Sequence, residues 1–394
     1  MATSTVSITS DAAPIRIALS EPEISGNEWK YVKECLDTGW VSSAGAFVTR
    51  FEKSVAAYTG AHEAVSTVNG TSALHVSMVA LGVAPGDEVV VPAVTFVAPV
   101  NAVKYCGAEP VFMDCDPDTL CMNTAKLATF LKNECFRGKD GFTYNRTTKR
   151  RVKAVVPVHV FGHPARMDEL VDACLGRDIE VIEDATESLG SEFMGKKTGT
   201  FGAAGCFSFN GNKVITTGGG GMVVTDDRAL AVRLKHLTTQ AKTDAFEYEH
   251  DEVGYNYRLT NMQAALGVAQ LERLEEFVSN KRRNAESYRR LLMESAGLMW
   301  EKPWARSNFW HCTIRVGEKR RGPLIRRLTE RGIQVRPLWK PVHLLPMYRG
   351  CQAYRIEHAE AAYRSCLNIP SGVALKSDEI EHVAAEINRA LKGE

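Results

Sequence analysis

The chain of 394 residues has almost no net charge, because 48 Lys and Arg residues stand against 47 Asp and Glu residues. Nucleic-acid-binding surfaces usually show a basic excess, so no DNA or RNA partner is expected. Long hydrophobic runs are also lacking, since the longest apolar stretch, 89–103, is interrupted by Pro92, Pro99 and Asn101. The first residues show no basic segment followed by an apolar one. We therefore expect no export, no membrane span and a cytoplasmic protein.

Paired cysteine motifs are missing as well. The ten cysteines are spread along the chain without a CxxC pair, which excludes a disulfide framework and is typical of a reducing compartment. With 44% hydrophobic and 24% charged residues, the composition is that of a soluble globular protein. At roughly 150 residues per domain, the length predicts about two to three domains, with room for a sizeable ligand in a cleft.

Short β-branched runs alternate with helical patterns between residues 28 and 226. This alternation predicts an α/β fold, in which the strands of a mostly parallel sheet are joined by crossover helices. The predicted strands are 88–92, 110–114, 153–158, 180–184 and 221–225, and the predicted helices are 71–81, 97–105, 123–133 and 166–175.

The first two thirds of the chain predict a flexible terminus and one large domain. Residues 1–14 are rich in Ser, Thr and Ala, as loose termini are. Residues 15–260 contain the predicted sheet. Within them, the segment 135–151 is polar and rich in turn residues. We interpret it as an insertion that leaves the sheet, either a solvated hairpin or a lid or partner contact.

The pattern changes after residue 260. Two long amphipathic helices are predicted at 262–277 and 281–295, and the mixed pattern that follows suggests a smaller C-terminal α/β domain over 261–394. The basic runs 281–283 and 319–321 are interpreted as solvated faces, although a basic residue could also meet a phosphate group.

The segment NGTSALH at 69–75 places a glycine and two hydroxyl residues where a helix begins. Exposed N–H groups, the helix dipole and the hydroxyls of Thr71 and Ser72 together can bind a phosphate. The same residues are also typical of an ordinary helix N-cap. The segment is therefore a candidate phosphate site that needs support from other residues.

Two ionisable residues stand beside predicted strands. Asp184 ends the strand 180–184, at the edge where parallel sheets bind ligands, although it could equally cap the next helix. Lys213 lies between apolar residues and the glycine run 218–221, where burial would favour a neutral, nucleophilic amine. Lys213 is thus a candidate Schiff-base lysine. The glycines precede a strand rather than open a helix, so we expect them to let the backbone pass close to a cofactor.

These segments together resemble the sugar aminotransferases of the DegT/DnrJ/StrS type, which are pyridoxal-phosphate enzymes with the aspartate-aminotransferase fold. The resemblance covers nearly the whole chain from Ile17 onwards. It rests on NGTSALH (69–75), PAVTFVAPVNAV (92–103), VPVHVFGHPARMDEL (156–170), EDATESLGS (183–191), SFNGNKVITTGGGGMV (208–223), GYNYRLTNMQAALGVAQLERL (254–274) and RPLWKPVHLLPMY (336–348). It implies a fold-type I enzyme whose large domain, with its mostly parallel sheet, binds pyridoxal 5'-phosphate, followed by the smaller C-terminal domain.

The resemblance also implies roles for individual residues. Lys213 would carry pyridoxal 5'-phosphate as a Schiff base and later move protons, with pyridoxamine 5'-phosphate as the intermediate form. Asp184 would pair with the pyridine nitrogen, and Phe96 would stack on the ring. The residues that would hold the phosphate are Gly70, Thr71, Ser72 and Ser208.

Four further positions follow from the resemblance. Glu187 stands where the family usually has Gln or His, near the phenolic oxygen of the ring. A carboxylate there should disfavour ionisation of that oxygen or be protonated itself. Asn256 would reach the phosphate of the neighbouring subunit, which implies a homodimer with shared active sites. Asn210 and His343 would face the sugar, although His343 could instead be a packed histidine in a proline-rich loop.

Some members of this family dehydrate sugars and have a histidine at the position of Lys213. The resemblance therefore implies that a chain with a lysine there performs transamination. The segments 25–43, 183–190, 209–221 and 135–151 look most like aminotransferases that act at C4 of a UDP-linked 4-keto-6-deoxy-N-acetylhexosamine in bacillosamine and legionaminic acid pathways. The amino donor implied is L-glutamate, which leaves as 2-oxoglutarate. Amination at C3, another nucleotide carrier, a nicotinamide-dependent enzyme and a non-catalytic regulatory or binding protein remain alternatives.

His159 and His163 in HVFGH have the i, i+4 spacing of a metal pair. Gly162 and Pro164 place them at the end of a strand rather than along one helix face, and no third ligand is evident. We therefore expect no metal site.

Overall fold

The helical and strand patterns of the sequence can be compared with a computed structural model that describes residues 16–244 and 246–393. The predicted flexible terminus 1–14 lies outside the described residues. The helices are α1 (Glu28–Thr38), α2 (Ala46–Thr59), α3 (Gly70–Ala80), α4 (Val97–Tyr105), α5 (Thr124–Asn133), α6 (Met167–Cys174), α7 (Arg228–Thr238), α8 (Asn261–Leu271), α9 (Leu274–Leu291), α10 (Glu318–Glu330), α11 (His358–Ser365) and α12 (Ser377–Lys392). Among the described residues, no helix combines the length and apolar character needed to cross a membrane.

Most strands belong to two sheets. The strands are β1 (Glu63–Thr67), β2 (Glu88–Pro92), β3 (Glu109–Met113), β4 (Cys135–Arg137), β5 (Thr143–Asn145), β6 (Val152–Val155), β7 (Glu180–Asp184), β8 (Glu192–Phe193), β9 (Lys196–Lys197), β10 (Ala204–Ser208), β11 (Gly221–Thr225), β12 (Lys242–Asp244), β13 (Glu249–His250), β14 (Ala305–Arg306), β15 (Cys312–Arg315), β16 (Arg336–Pro337), β17 (Ala353–Tyr354) and β18 (Cys366–Ile369). The central sheet has eight strands in the order β1-β11-β10-β7-β6-β2-β3-β17, and a second sheet has the order β15-β18-β16.

The central sheet is mostly parallel, as predicted. β10, β7, β6, β2, β3 and β17 run parallel, whereas β11 is antiparallel to both β10 and β1. Strands β2, β7 and β11 and helix α4 have the bounds that the sequence predicts. The strand predicted at 153–158 ends earlier, at Val155, and Pro157 just beyond it has no N–H with which to continue the ladder.

Helices cover both faces of this sheet, and β2 shows how. Successive side chains of a strand point to opposite faces, so Val89 and Val91 pack with residues of α3 and α4, while Val90 packs with residues of α2 and α5. The strand is buried along its whole length. A run of valines without polar alternation is therefore explained by burial on both faces.

The predicted insertion 135–151 is a hairpin in which β4 pairs with β5 in antiparallel register. It is tied to the sheet at its base, where the buried Asn145 Nδ2 donates to Glu88 Oε2 at 2.8 Å. None of its residues lines the cleft described below. The structure thus agrees with the hairpin interpretation and gives no support to a lid.

The helices after residue 260 are divided differently from the prediction. The helices predicted at 262–277 and 281–295 are α8 and α9, and the turn between them falls at 272–273. Neither residue of that turn is a helix breaker. Helix α8 ends where a tertiary contact forms. Gln270, near its end, donates to Glu28 Oε1 of α1 at 2.6 Å.

Helix α9 joins two hydrophobic cores. Phe277 in its first half packs in the core of the central sheet, whereas Ala285 and Tyr288 pack in the core of the β15-β18-β16 sheet. Ile17, assigned to the large domain from sequence, also packs in this second core. The two cores meet within this one continuous helix, and the domain boundary at 260–261 stays a prediction.

Candidate active site

A cleft of about 790 Å³ opens beyond the carboxyl ends of β2, β7 and β10, a size usual for small-molecule sites. The loops that follow these strands and the N-terminus of α3 form one side of it. The segment 336–340 lines it as well. The sequence-predicted residues that line the cleft are Gly70, Thr71, Phe96, Asp184, Glu187, Ser208, Asn210 and Lys213.

The N-terminus of α3 faces the cleft. The Asn69 side-chain oxygen accepts the backbone N–H of Ser72 at 2.8 Å. The N–H groups of Gly70 and Thr71 lie in the first turn, where the helix itself provides no acceptor for them. Gly70 lies so close to Ser208 that a Cβ on it would be 2.8 Å from the Ser208 Cβ. Free N–H groups, the helix dipole and neighbouring hydroxyls thus form a site suited to a phosphate.

Asp184 is a buried carboxylate at the end of β7, with 3% of its surface exposed. Burial raises the pKa of its carboxyl group, against the effect of the hydrogen bonds from Thr186 and of the Lys213 charge. Its Oδ1 accepts the Thr186 N–H at 3.1 Å. Few interactions offset the cost of burying the charge of this carboxylate. A cationic partner would favour the ionised form, so Asp184 is suited to bind one.

Lys213 lies in the loop between β10 and β11. Its backbone N–H donates to Asn210 O at 3.0 Å. Its Nζ is 3.6 Å from Glu187 Oε1, with 13% of the side chain exposed, and 3.9 Å from the centre of the Trp310 ring. The amine is thus held at the cleft between a carboxylate and an aromatic face.

Glu187 is the buried carboxylate beside this amine. Its Oε2 accepts the backbone N–H of Phe161 at 2.8 Å. Burial raises the pKa of Glu187 to about 7, and the nearby charge of Lys213 opposes this shift. Both protonation states are therefore populated near neutral pH.

The glycine run has two functions rather than one. Gly219 and Gly220 line the cleft, as expected for close backbone approach to a ligand. Gly221 instead faces the loop before α3, where a Cβ would lie 2.5 Å from the backbone oxygen of Asn69. The expectation that the whole run approaches a cofactor is corrected in this respect, because Gly221 is needed for contact within the protein.

Aromatic and basic side chains lie at the open part of the cleft. The ring of Phe96 is 55% exposed and its centre is 6.3 Å from that of Trp339. Arg336 and Lys340 line the same cleft. An exposed ring face suits stacking on a planar ligand, and two cations suit phosphate groups. The sequence interpretation assigned no role to these basic residues.

Three predicted site residues do not line the cleft. Ser72 is buried in the first turn of α3. Asn256 is exposed, in a bridge with Thr239. His343 is drawn towards α11, with its Nε2 3.4 Å from Glu360 Oε1. This position agrees with the packed-histidine alternative, and the role of His343 in facing the sugar stays a prediction.

His159 and His163 are engaged separately. His159 Nε2 lies 3.0 Å from Glu183 Oε2 in a fully buried pair. His163 Nδ1 donates to the Pro164 oxygen at 2.8 Å. Both imidazoles thus serve hydrogen bonds within the protein.

Lys281 corrects the interpretation of its basic run as a solvated face. The side chain is 1% exposed, and its Nζ donates to Ser371 O at 2.6 Å and Trp310 O at 3.2 Å. Burial lowers the pKa of Lys281 to about 8. Trp310 and His311, which this lysine supports, both line the cleft, and sequence reasoning identified neither.

The cleft has groups of the kinds that pyridoxal phosphate requires: N–H groups at the N-terminus of α3, the buried carboxylate of Asp184, the exposed ring of Phe96 and the amine of Lys213. On a mostly parallel α/β sheet, these features define a fold-type I pyridoxal-phosphate-dependent aminotransferase. A model of the DegT/DnrJ/EryC1/StrS aminotransferase family matches residues 22–388. The chain belongs to this family of sugar aminotransferases.

Similar proteins agree with this membership. GDP-perosamine synthase of Caulobacter vibrioides is 39% identical over 382 residues, covering 95% of this chain and 98% of that protein. GDP-perosamine synthase of Escherichia coli O157:H7 is 37% identical over 374 residues, covering 94% and 98%. The crystal structure of the aminotransferase TlmJ from Streptoalloteichus hindustanus superposes with a TM-score of 0.87 at 31% identity, covering 96% and 99%. Both synthase names refer to a GDP-linked sugar, and neither supports the UDP carrier that the sequence resemblance implied.

Proposed function

We propose that this enzyme transfers an amino group from L-glutamate to C4 of a nucleotide-linked 4-keto-6-deoxyhexose. The observation that carries the proposal is the placement of Lys213 Nζ, 3.6 Å from the buried Glu187 carboxylate, in one cleft with Asp184 and the α3 N-terminus. That arrangement suits transamination, and family membership supports a sugar as the amino acceptor.

The nucleotide carrier proposed is GDP. The support is that two relatives, each covered over nearly its whole length, are named for GDP-perosamine, a 4-amino sugar. A UDP-linked 4-keto-6-deoxy-N-acetylhexosamine, favoured by the sequence resemblance, is the competing substrate. Arg336 and Lys340 at the cleft suit the diphosphate of either carrier.

Pyridoxal phosphate, when bound, supplies an electron sink that allows an amino group to pass between two substrates. We assign its phosphate to Gly70, Thr71 and Ser208, its ring nitrogen to Asp184 and its ring face to Phe96. Buried Asp184 provides a fixed negative charge that keeps a proton on the ring nitrogen. The roles of Ser72, Asn210 and His343 in binding remain predictions, and the structure places only Asn210 at the cleft.

Lys213 Nζ is the group proposed to move the proton. As a free base it removes a proton from the reacting carbon of L-glutamate and delivers one to C4 of the sugar. The half-buried position of the amine limits access of water, so the proton remains available for delivery. The face of the sugar that meets this amine determines the stereochemistry of the product.

We further propose a homodimer in which Asn256 binds the phosphate in the neighbouring subunit. In one chain Asn256 is exposed and is not part of the cleft lining, as a residue that serves another subunit must be. Mixing of inactive variants, described in the Discussion, tests this proposal.

The decisive experiment is a substrate panel. The cofactor-loaded enzyme is incubated with L-glutamate and with 3-keto and 4-keto sugars linked to GDP or UDP, and NMR identifies the aminated carbon. Amination at C4 of the GDP-linked sugar together with 2-oxoglutarate formation is expected. Amination at C3, or no turnover of any sugar, would contradict the proposal, and turnover of the UDP-linked N-acetylhexosamine alone would exclude GDP.

A further inference from the structure

A positive charge lies behind the wall of the cleft. Lys281 Nζ donates to Ser371 O at 2.6 Å and Trp310 O at 3.2 Å, and no ion pair involves it among the described residues. An ammonium that is buried without a carboxylate is costly in free energy. Its two carbonyl partners therefore hold a fixed charge directly behind Trp310 and His311.

The hydrogen bonds around Lys281 favour one tautomer of His311. The Ser371 hydroxyl donates to Trp310 O at 3.2 Å, and because a carbonyl has no hydrogen, this bond uses the only hydroxyl proton. The Ser371 Oγ also lies 3.3 Å from His311 Nδ1. With the hydroxyl proton on the Trp310 side, the contact with His311 uses a proton on Nδ1, and a neutral His311 then carries a lone pair on Nε2.

His311 belongs to the cleft wall, together with Lys213 and Asp184. Its ring centre is 4.0 Å from that of Trp310. Nε2 has no hydrogen-bond partner among the described residues, whereas Nδ1 is engaged by Ser371. Burial, with the charges of Lys281 and Lys213, holds the pKa of His311 well below its usual range, so the ring is neutral at neutral pH.

We propose that His311 carries its proton on Nδ1 and accepts on Nε2 a hydrogen bond from a hydroxyl group of the sugar, and that Lys281 is a positioning residue that holds Ser371 beside His311 through its bonds to Ser371 O and Trp310 O. A sugar offers several hydroxyl donors to such an acceptor. L-Glutamate offers two carboxylates, which need donors, and its amine is the reacting group. The inference rests on the proposed function, because it requires a hydroxyl-bearing substrate in the cleft.

The tautomer can be measured without turnover. Long-range ¹⁵N–¹H spectra of the cofactor-loaded protein with ¹⁵N-labelled histidine give the protonation of each ring nitrogen, and His311→Asn identifies the His311 signals. We expect a neutral ring with the proton on Nδ1 at neutral pH. A proton on Nε2, or an imidazolium, would overturn the proposal.

Kinetics test the contact with the sugar. His311→Asn keeps a polar group near Ser371 but lacks the Nε2 position, and we expect the KM of the keto sugar to rise about tenfold. The KM of L-glutamate should be unchanged. His311→Gln is the matched control, because its amide reaches the Nε2 position and should retain most of the sugar affinity. An unchanged sugar KM in His311→Asn, or an equal rise for L-glutamate, would refute the contact.

Lys281→Met tests the positioning role, since it keeps the length of the side chain and removes the charge. Without the link between Ser371 O and Trp310 O, Ser371 is no longer held beside His311. We therefore expect the His311 signals to lose the single Nδ1–H form and the KM of the keto sugar to rise, with the visible absorbance of the bound cofactor retained. An unchanged tautomer with an unchanged KM would exclude this role. If the wild-type enzyme turns over none of the sugars, the proposed function fails, whereas the spectra still decide the tautomer of His311.

Discussion

Lys213 is the residue on which turnover depends most directly. Lys213→Arg keeps a positive charge near Glu187 but removes the primary amine, so we expect activity to fall by about 10³-fold or more. Borohydride should no longer fix the cofactor to the peptide that contains position 213, which mass spectrometry of the digested protein checks. Lys139→Ala, in the exposed hairpin, is the control and should behave as wild type. Cofactor attachment to another lysine in the wild-type protein would refute the assignment.

Glu187 makes a second prediction, which concerns stability in the cofactor-free protein. Burial raises its pKa from 4.5 to about 7, so between these values the folded state binds more protons than the unfolded state. Stability from this residue is present below pH 4.5 and is lost as the pH rises towards 7. Glu187→Gln removes this dependence and should gain up to about 3 kcal/mol relative to wild type between pH 5 and pH 8.

Urea unfolding of both proteins at several pH values measures this difference. The control is Glu330→Gln, because Glu330 is an exposed carboxylate at the end of α10, and its effect should not change over the same range. A difference between Glu187→Gln and wild type that stays constant, or shrinks as the pH rises, would contradict the buried-carboxylate explanation.

At the residue scale, the sequence identified site residues that lie in local motifs. It did not identify residues that reach the site only through long-range packing. Lys213 and Asp184 were candidates from their own neighbourhoods. Lys281 was interpreted as solvated, although Phe277, Lys281 and Ala285 recur every four residues and so share one helix face. That periodicity was the available signal. No local pattern links Lys281 to Trp310, because their contact depends on the folded arrangement of distant segments.

At the scale of elements, the glycine run gives a prediction about the contact between β11 and the α3 loop. Gly221→Ala would place a Cβ 2.5 Å from the Asn69 backbone oxygen. Because that oxygen belongs to the backbone, the clash can be relieved only if the strand or the loop moves. We expect a loss of about 1–3 kcal/mol in stability and weaker binding of pyridoxal phosphate, since Asn69 caps the helix that faces it. Thermal unfolding and cofactor titration measure the two effects.

Gly219→Ala is a matched control from the same run. Its Cβ would meet only the end of a flexible side chain, Gln263 Nε2 at 3.6 Å. It should therefore be close to wild type in stability. Equal destabilisation by the two substitutions would show that the run acts through backbone flexibility rather than through the Gly221 contact.

Elements were predictable where burial alone sets the pattern. Strands β2, β7 and β11 are short apolar runs between turns, and their bounds could be predicted. The turn at 272–273 could not be predicted, because the helical pattern continues through it. The contact that accompanies the turn joins Gln270 to Glu28, which is 242 residues away in the chain. A local pattern contains no record of such a distant contact.

At the scale of the whole molecule, the cleft of one chain brings together most of the predicted cofactor site but not Ser72, which is buried in α3, or Asn256. The side chain is exposed, and the loop that carries it contacts the chain after α7. The composition gave no hint of an anionic ligand, because a net charge of +1 does not report how a few donors are arranged. If two chains share their sites, each cleft is complete only in the dimer.

Mixing two defective variants tests this sharing. Lys213→Ala and Asn256→Ala are each expected to have low activity, but in a mixed dimer the subunit that retains Lys213 receives Asn256 from its partner. Random reassociation makes half of the dimers mixed, each with one native site of two, so about a quarter of wild-type activity should return. Lys213→Ala mixed with Asp184→Ala is the control, because both residues serve the same subunit and every mixed site keeps one defect. If activity fails to return in the first mixture, Asn256 does not serve the neighbouring site.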